Sequence, residues 1–167
     1  PHQANGSAML NSEGKAAGSV LIGQFFHDSR YFWGRPSAPS PVASPEFHGD
    51  QGTSSSGSNL GPGSPALMQA VTDRVAALRK ADPGNTLPVP VDLVTAPASG
   101  LDPDISVAAA EYQVPRVARL RGLTENKVRQ LVSQYTEGRQ LGILGEPRVH
   151  VLRLNLALAA MVPQTAP

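Results

Sequence analysis

Three consecutive residues, His27, Asp28 and Ser29, carry the side chains of a hydrolytic triad. Neighbouring side chains of an extended segment point to opposite faces, so these three cannot pass a proton among themselves. There is no G-x-S-x-G elbow and no H-E-x-x-H pair, and His2, His48 and His150 are scattered. No catalytic residue is assigned. A second candidate is the run "VPVDLVTAPASGLDPDIS", residues 89–106, in which an apolar stretch breaks into a Pro/Ser/Gly turn under Asp102 and Asp104. Helix N-termini attract anions through their free N–H groups. Here two carboxylates already occupy that end, and no Lys or Arg lies between Val89 and Asp104. Asp102 as N-cap with Pro103 in the first helical position accounts for the residues without a ligand. The spacing matches no calcium loop, and no metal site is expected.

The run "GTSSSGSNLGPGSP" lacks the lysine of a phosphate-binding loop, because Gly57 is followed by Ser58 and Asn59. A third possibility is nucleic-acid binding by a basic helix pair within 103–137, with Gly122 in the turn. From Pro115 to Arg139, six basic residues (Arg116, Arg119, Arg121, Lys127, Arg129, Arg139) face Glu125 and Glu137, a local charge of +4. The simpler reading is a solvated face beside a core stripe, and no nucleic-acid partner is expected. The whole chain has a formal net charge of +1, too little for binding by bulk charge.

The elements that must position these residues follow from periodicity and punctuation. Residues 7–10 and 16–23 read as a hairpin, followed by an aromatic patch over 25–33. From Pro36 to Pro65, Pro, Gly and Ser supply 19 of 30 residues, a segment too poor in apolar side chains to order itself. A loop of this length is usually functional or disordered. Ser64-Pro65 opens a helix with the stripe Leu67, Val71, Val75, Leu78, and Asp82-Pro83-Gly84 stops it. Val89, Val91 and Leu93 alternate as a strand, which Pro90, lacking a donor, puts at an edge or near its start. A second helix is expected over 103–121, bent near Pro115. Thr124 caps a third, stopped at Gly138, and "RVHVL" makes a last strand with "NLALAA" as its end or a short helix. The class is α+β: a small mixed sheet, about three helices and the long Gly/Pro/Ser-rich loop, in a single domain over 1–167. With 167 residues and no cysteine, neither a second large domain nor a disulfide framework is indicated.

Eight blocks in order are similar to one family: "ANGS" (4–7), "GSVLIGQFF" (18–26), "YFWGRPSA" (31–38), "SGSNLGP" (56–62), "VPVDLVTA" (89–96), "SGLDPDIS" (99–106), "YQVPRVA" (112–118) and "LGEPRVHVLRLNLAL" (144–158). The chain resembles the C subunits of the bacterial potassium-importing Kdp pump, a P-type ATPase complex. Pro97, Asp104, His150 and Arg153 depart from the pattern common in that family. The resemblance implies a non-catalytic accessory subunit held in the cytoplasmic membrane by one N-terminal helix that precedes this sequence, with its globular part on the outer face. It implies as partners the channel-like potassium-binding subunit and the ATP-hydrolysing subunit. It implies either a catalytic chaperone that promotes ATP use or a lid over the ion entrance. No firmly bound cofactor is implied, and ATP would be met only through the complex. In the first description "LIGQ" is a nucleotide contact, which points to Gly23 and Gln24; read from the residues alone, it is a strand end closed by Gly23. An interface with the partners is expected at Tyr31, Trp33, Arg35, Ser58, Asn59, Asp102 and Asp104.

Overall fold

The computed structural model describes residues 6–10, 14, 16–36 and 55–161. The expected turn at 11–15 lies largely outside the described residues, as does the 37–54 part of the long loop. The α+β class holds, with four helices and two small antiparallel sheets among the described residues. A hairpin pairs β1 (Ala8–Leu10) with β2 (Ala16–Ser19). The second strand stops at Ser19, short of the expected 23, because Val20–Ile22 turns away and Gly23 N–H donates to Leu101 O instead.

Helix α1 (Pro65–Ala81) begins after Ser64 and ends at Asp82, as the punctuation predicts. The segment read as an edge strand is a 3-10 turn over Val91–Leu93. Pro88 and Pro90 remove ladder donors on both sides of Val89, so the chain curls, and Val91 O accepts from both Val94 and Thr95.

The expected start of the second helix is also corrected. Asp104–Ser106 is a strand, β3, and α2 runs over Val107–Arg121. Residues 104–106 stay extended because β5 (Arg148–His150) offers them a ladder, with Ile105 opposite Val149 and both buried. Ser106, not Asp102, is the N-cap: its Oγ accepts from Ala109 N–H at 3.0 Å. Asp92 braces that cap, accepting from Ser106 N–H at 2.7 Å and from its hydroxyl at 3.1 Å. Helix α2 continues through Pro115 and closes at Gly122, whose left-handed φ of 63° suits glycine.

Thr124 caps α3 (Glu125–Gln134), as expected, but the helix ends before the expected stop at Gly138. Thr136–Glu137 instead pairs with β5 as β4 and completes a three-stranded sheet of order β3-β5-β4. The last strand ends at His150, and Val151–Met161 forms α4, which absorbs "NLALAA". His150 Nδ1 accepts from Arg153 N–H at 3.4 Å, filling the place of a cap.

The core lies where α2 meets α3, α4 and the face of β5, with Ala109, Val114, Val117, Val128, Val149 and Leu154 fully buried. The aromatic segment has no regular structure and is held by side chains. Asn155 clamps Phe32, accepting its N–H and donating to its carbonyl, both at 2.9 Å. Gln113 does the same to Trp33, at 2.8 and 3.0 Å. These amides stand in for the missing ladder, so no buried backbone group of residues 32 and 33 is stranded. Among the described residues, no helix is long and apolar enough to cross a membrane.

Candidate functional site

The turn 97–103 answers first to itself. Gly100 N–H donates to Pro97 O at 3.1 Å, and its φ of 71° is one that glycine adopts without strain. Asp102 Oδ1 accepts from Asp104 N–H at 3.0 Å, a local turn within the two-aspartate motif. The carboxylate expected to cap a helix therefore shapes the loop before β3.

Four other segments grip this turn. Gly23 N–H donates to Leu101 O at 2.8 Å, and Val151 N–H donates to Pro103 O at 3.1 Å. Arg35 Nη1 meets Asp102 Oδ2 at 2.9 Å in a half-buried ion pair. Ser56 N–H and Ser55 Oγ both donate to Ser99 O, at 3.1 and 2.9 Å. The described end of the long loop is thus fastened to the same turn.

The site residues read from sequence fall into two groups. Gly23, Gln24, Arg35, Asp102 and Asp104 converge on this turn, and Ser58 and Asn59 follow the segment docked on it, both exposed. Gly23 packs so tightly that a Cβ there would fall on the carbonyl oxygen of Asp102 and lie 3.0 Å from its carbon. The Gln24 amide lies over Gly18, in the space a Cβ at that position would fill. The space bounded by Gly23, Gln24, Gly34 and Gly100 is about 10 Å³, room for one water.

Tyr31 and Trp33 are placed apart from this group, against the basic end of α2. The Arg121 guanidinium sits 4.4 Å from the Tyr31 ring centroid, and that of Arg116 sits 4.6 Å from the Trp33 ring. Arg116 is buried and donates to Ser29 O, Tyr31 O and Gln113 Oε1. Burial pulls its pKa down to about 10, which leaves it charged at neutral pH. Most of the rest of the basic run is likewise engaged. Arg119 pairs with buried Asp82 at 2.8 Å, Arg129 with Glu111 and Glu125, and Arg139 with Glu146. Five of the six basic side chains behind the nucleic-acid reading therefore have partners inside the chain.

Beside the turn opens a cleft of about 410 Å³, lined by Arg35, Asp92, Asp102, Asp104, Glu146 and Arg148 among others. Asp104 has its pKa raised, chiefly by burial, which outweighs the charges of His150 and Arg148. Arg148 Nε lies 2.9 Å from Asp104 Oδ2, an ion pair without hydrogen-bond geometry, whose attraction opposes the burial without overcoming it. Asp92, Glu146 and Arg148 were missed as site residues. Their signal was present, since each is a charged residue inside an apolar motif block, "VPVDLVTA" or "LGEPRVH". Among the described residues, no group of three or more His, Asp or Glu is placed to hold a metal.

The family described as "KdpC: K+-transporting ATPase, c chain" matches residues 1–160. A protein of Methylococcus capsulatus named "Potassium-transporting ATPase KdpC subunit" is 63% identical over 96% of this chain and 81% of its own length. Proteins of the same name from Sorangium cellulosum and Polaromonas naphthalenivorans are 61% and 60% identical, over 95% and 100% of this chain and 80% and 82% of theirs.

Proposed function

This chain belongs to the KdpC family, and from that premise we propose that it is an accessory subunit of a potassium-transporting ATPase that works by docking and performs no reaction itself. One observation carries the reading: three of the residues expected at an interface, Arg35, Asp102 and Asp104, meet at a single braced turn, beside an open cleft lined with carboxylates. A surface held by Arg35–Asp102, by Gly23 and by the 55–56 segment is fixed before any partner arrives. Pre-organisation of that kind lowers the ordering cost of association. The finer features follow as part of the proposal. The domain sits on the outer face of the cytoplasmic membrane, anchored by a preceding helix, against the ion-binding and ATP-hydrolysing subunits.

Any effect on ATP use is proposed to be indirect. A nucleotide at Gly23 and Gln24 would need far more than the roughly 10 Å³ beside them. An outer domain would instead favour one conformation of the pump by binding it better, whether as stabiliser or as lid. The test is potassium-stimulated ATP hydrolysis by the assembled complex, with and without this subunit, beside calorimetric titration of ATP into the subunit alone. Hydrolysis that does not depend on the subunit refutes the reading. Stoichiometric ATP binding by the isolated chain, lost on changing Gln24, refutes the indirect route.

A further inference from the structure

The connection between β4 and β5 carries the most exposed large apolar side chains of the described chain. Leu141 is 89% exposed and Ile143 74%. They do not sit on a loose loop. Gln140 and Leu144 exchange both backbone hydrogen bonds at 2.9 Å, closing a three-residue tip. Below it Arg139 Nη2 holds both oxygens of Glu146, at 3.0 and 2.8 Å, and Glu137 pairs with Arg148 at the end of the sheet. The result is a stiff stem with apolar side chains at its end.

Leu141 also has a φ of 53°, in the left-handed region. Glycine or asparagine would take that conformation at lower cost. Folding gains nothing from a leucine there, since its side chain touches almost no protein. Solubility is worsened by it. A strained and uncovered leucine is explained by a contact made outside this chain.

Charge selects the kind of partner. The tip borders the cleft through Glu146, where four carboxylates line the wall with two arginines. The nearby arginines, Arg139, Arg148 and Arg153, are each paired with a carboxylate, and no lysine follows Lys127 in the sequence. An anionic lipid surface would meet arginines already paired with carboxylates and a carboxylate wall beside them. We propose that the 140–144 hairpin is a docking peg that seats Leu141 and Ile143 in an apolar pocket, rimmed by basic residues, on another chain of the ATPase complex. This rests on the subunit reading above and adds the contact that makes it.

The test uses the full-length subunit produced with the other chains of the complex, purified through a tag on the ATP-hydrolysing chain. Wild type is expected to co-purify. The double variant Leu141→Asn/Ile143→Asn is expected to be retained at least about tenfold less, as for loss of buried apolar anchors. Its thermal midpoint alone should be no lower than wild type, because asparagine relieves the strained position. Ile143→Lys, which leaves that position untouched, should give the same loss. Retention of both variants at wild-type levels overturns the peg and leaves the subunit reading standing. Failure of wild type to co-purify overturns both. Two further results overturn the peg: flotation of the subunit with phosphatidylethanolamine–phosphatidylglycerol vesicles that is lost on substituting 141 and 143, or a dimer of the isolated subunit lost in the same variants.

Discussion

Replacing Gly23 by alanine separates the two roles open to "LIGQ". The added Cβ would meet the Asp102 carbonyl oxygen well inside 3.0 Å, with the Asp102 and Leu101 carbonyl carbons at 3.0 and 3.3 Å. All three are backbone atoms of a turn that cannot rotate aside. The turn would have to retreat by about 1 Å to restore van der Waals contact. Retreat stretches the Gly23–Leu101 hydrogen bond, worth about 1 kcal/mol, and loosens the half-buried Arg35–Asp102 pair, worth about 0.5 kcal/mol. Strain from overpacking adds about 1 kcal/mol or more. A loss of about 2–3 kcal/mol is expected, which at a urea m-value of about 2 kcal/mol/M lowers the midpoint by about 1–1.5 M. The assay is urea unfolding of the purified chain followed by Trp33 fluorescence, with no nucleotide present. Adding Asp102→Asn should cost less in the Gly23→Ala background than in wild type, because the two residues are in contact. An unchanged midpoint for Gly23→Ala would refute the close packing and return the motif to ligand binding.

Arg116→Met should destabilise by about 3 kcal/mol, since it leaves the carbonyls of Ser29 and Tyr31 without a donor; Arg116→Lys should restore only part, lacking the fork that spans them. Asn155→Ala removes both halves of the Phe32 clamp and should cost about 2–3 kcal/mol in the same urea assay. Asp104 has its folded pKa raised, so native protein releases that proton later than unfolded protein does as pH rises. Stability should therefore fall from the unfolded carboxyl pKa upward until the folded one is passed, and Asp104→Asn should flatten that slope in pH-resolved unfolding. Duplex DNA titrated at low salt should show no saturable binding, because the arginines of α2 and α3 are already paired within the chain.

Elements closed by local chemistry were legible in the sequence. Pro65 opens α1 and Asp82 closes it, although the Ser64 side chain makes no cap bond; Thr124 caps α3 and Gly122 ends α2, because each constrains or bonds backbone within a turn of itself. The errors fall where a distant partner decided. Asp104–Ser106 has the aspartates and proline of a helix start, but β5, some 40 residues later, supplies a ladder and keeps it extended. Asp102 thus lost its cap and gained Arg35, 67 positions away. Val91 and Leu93 alternate like a strand, yet the prolines beside Val89 deny it a ladder. The aromatic patch could not be sorted into core and interface from sequence, because its anchors are the side chains of Gln113, Arg116 and Asn155 on helices formed much later. Of the residues expected at the site, Gly23, Gln24, Arg35, Asp102 and Asp104 converged, while Ser58 and Asn59 only follow the docked segment. Tyr31 and Trp33 were instead drawn to the arginines of α2.

The same long-range bonds bear on how such a domain could act on a distant nucleotide. A docking surface transmits force only if it does not yield when the partner moves. Here the turn 97–103 is tied to the start of α4 through Val151, to the hairpin through Gly23, and to the aromatic segment through Arg35. That segment is clamped in turn by Gln113 and Arg116 of α2 and Asn155 of α4. A shift at the cleft would therefore strain the core, and the domain would sooner leave its partner than deform. Under the docking proposal this makes the subunit selective for one conformation of the pump, with a coupling no larger than its difference in affinity for the two states. Loosening a clamp should consequently weaken that selectivity without touching the interface. Asn155→Ala, assayed in the intact complex below its unfolding temperature, should reduce the subunit's stimulation of ATP hydrolysis while co-purification persists. Full stimulation by that variant would break the link between rigidity and coupling.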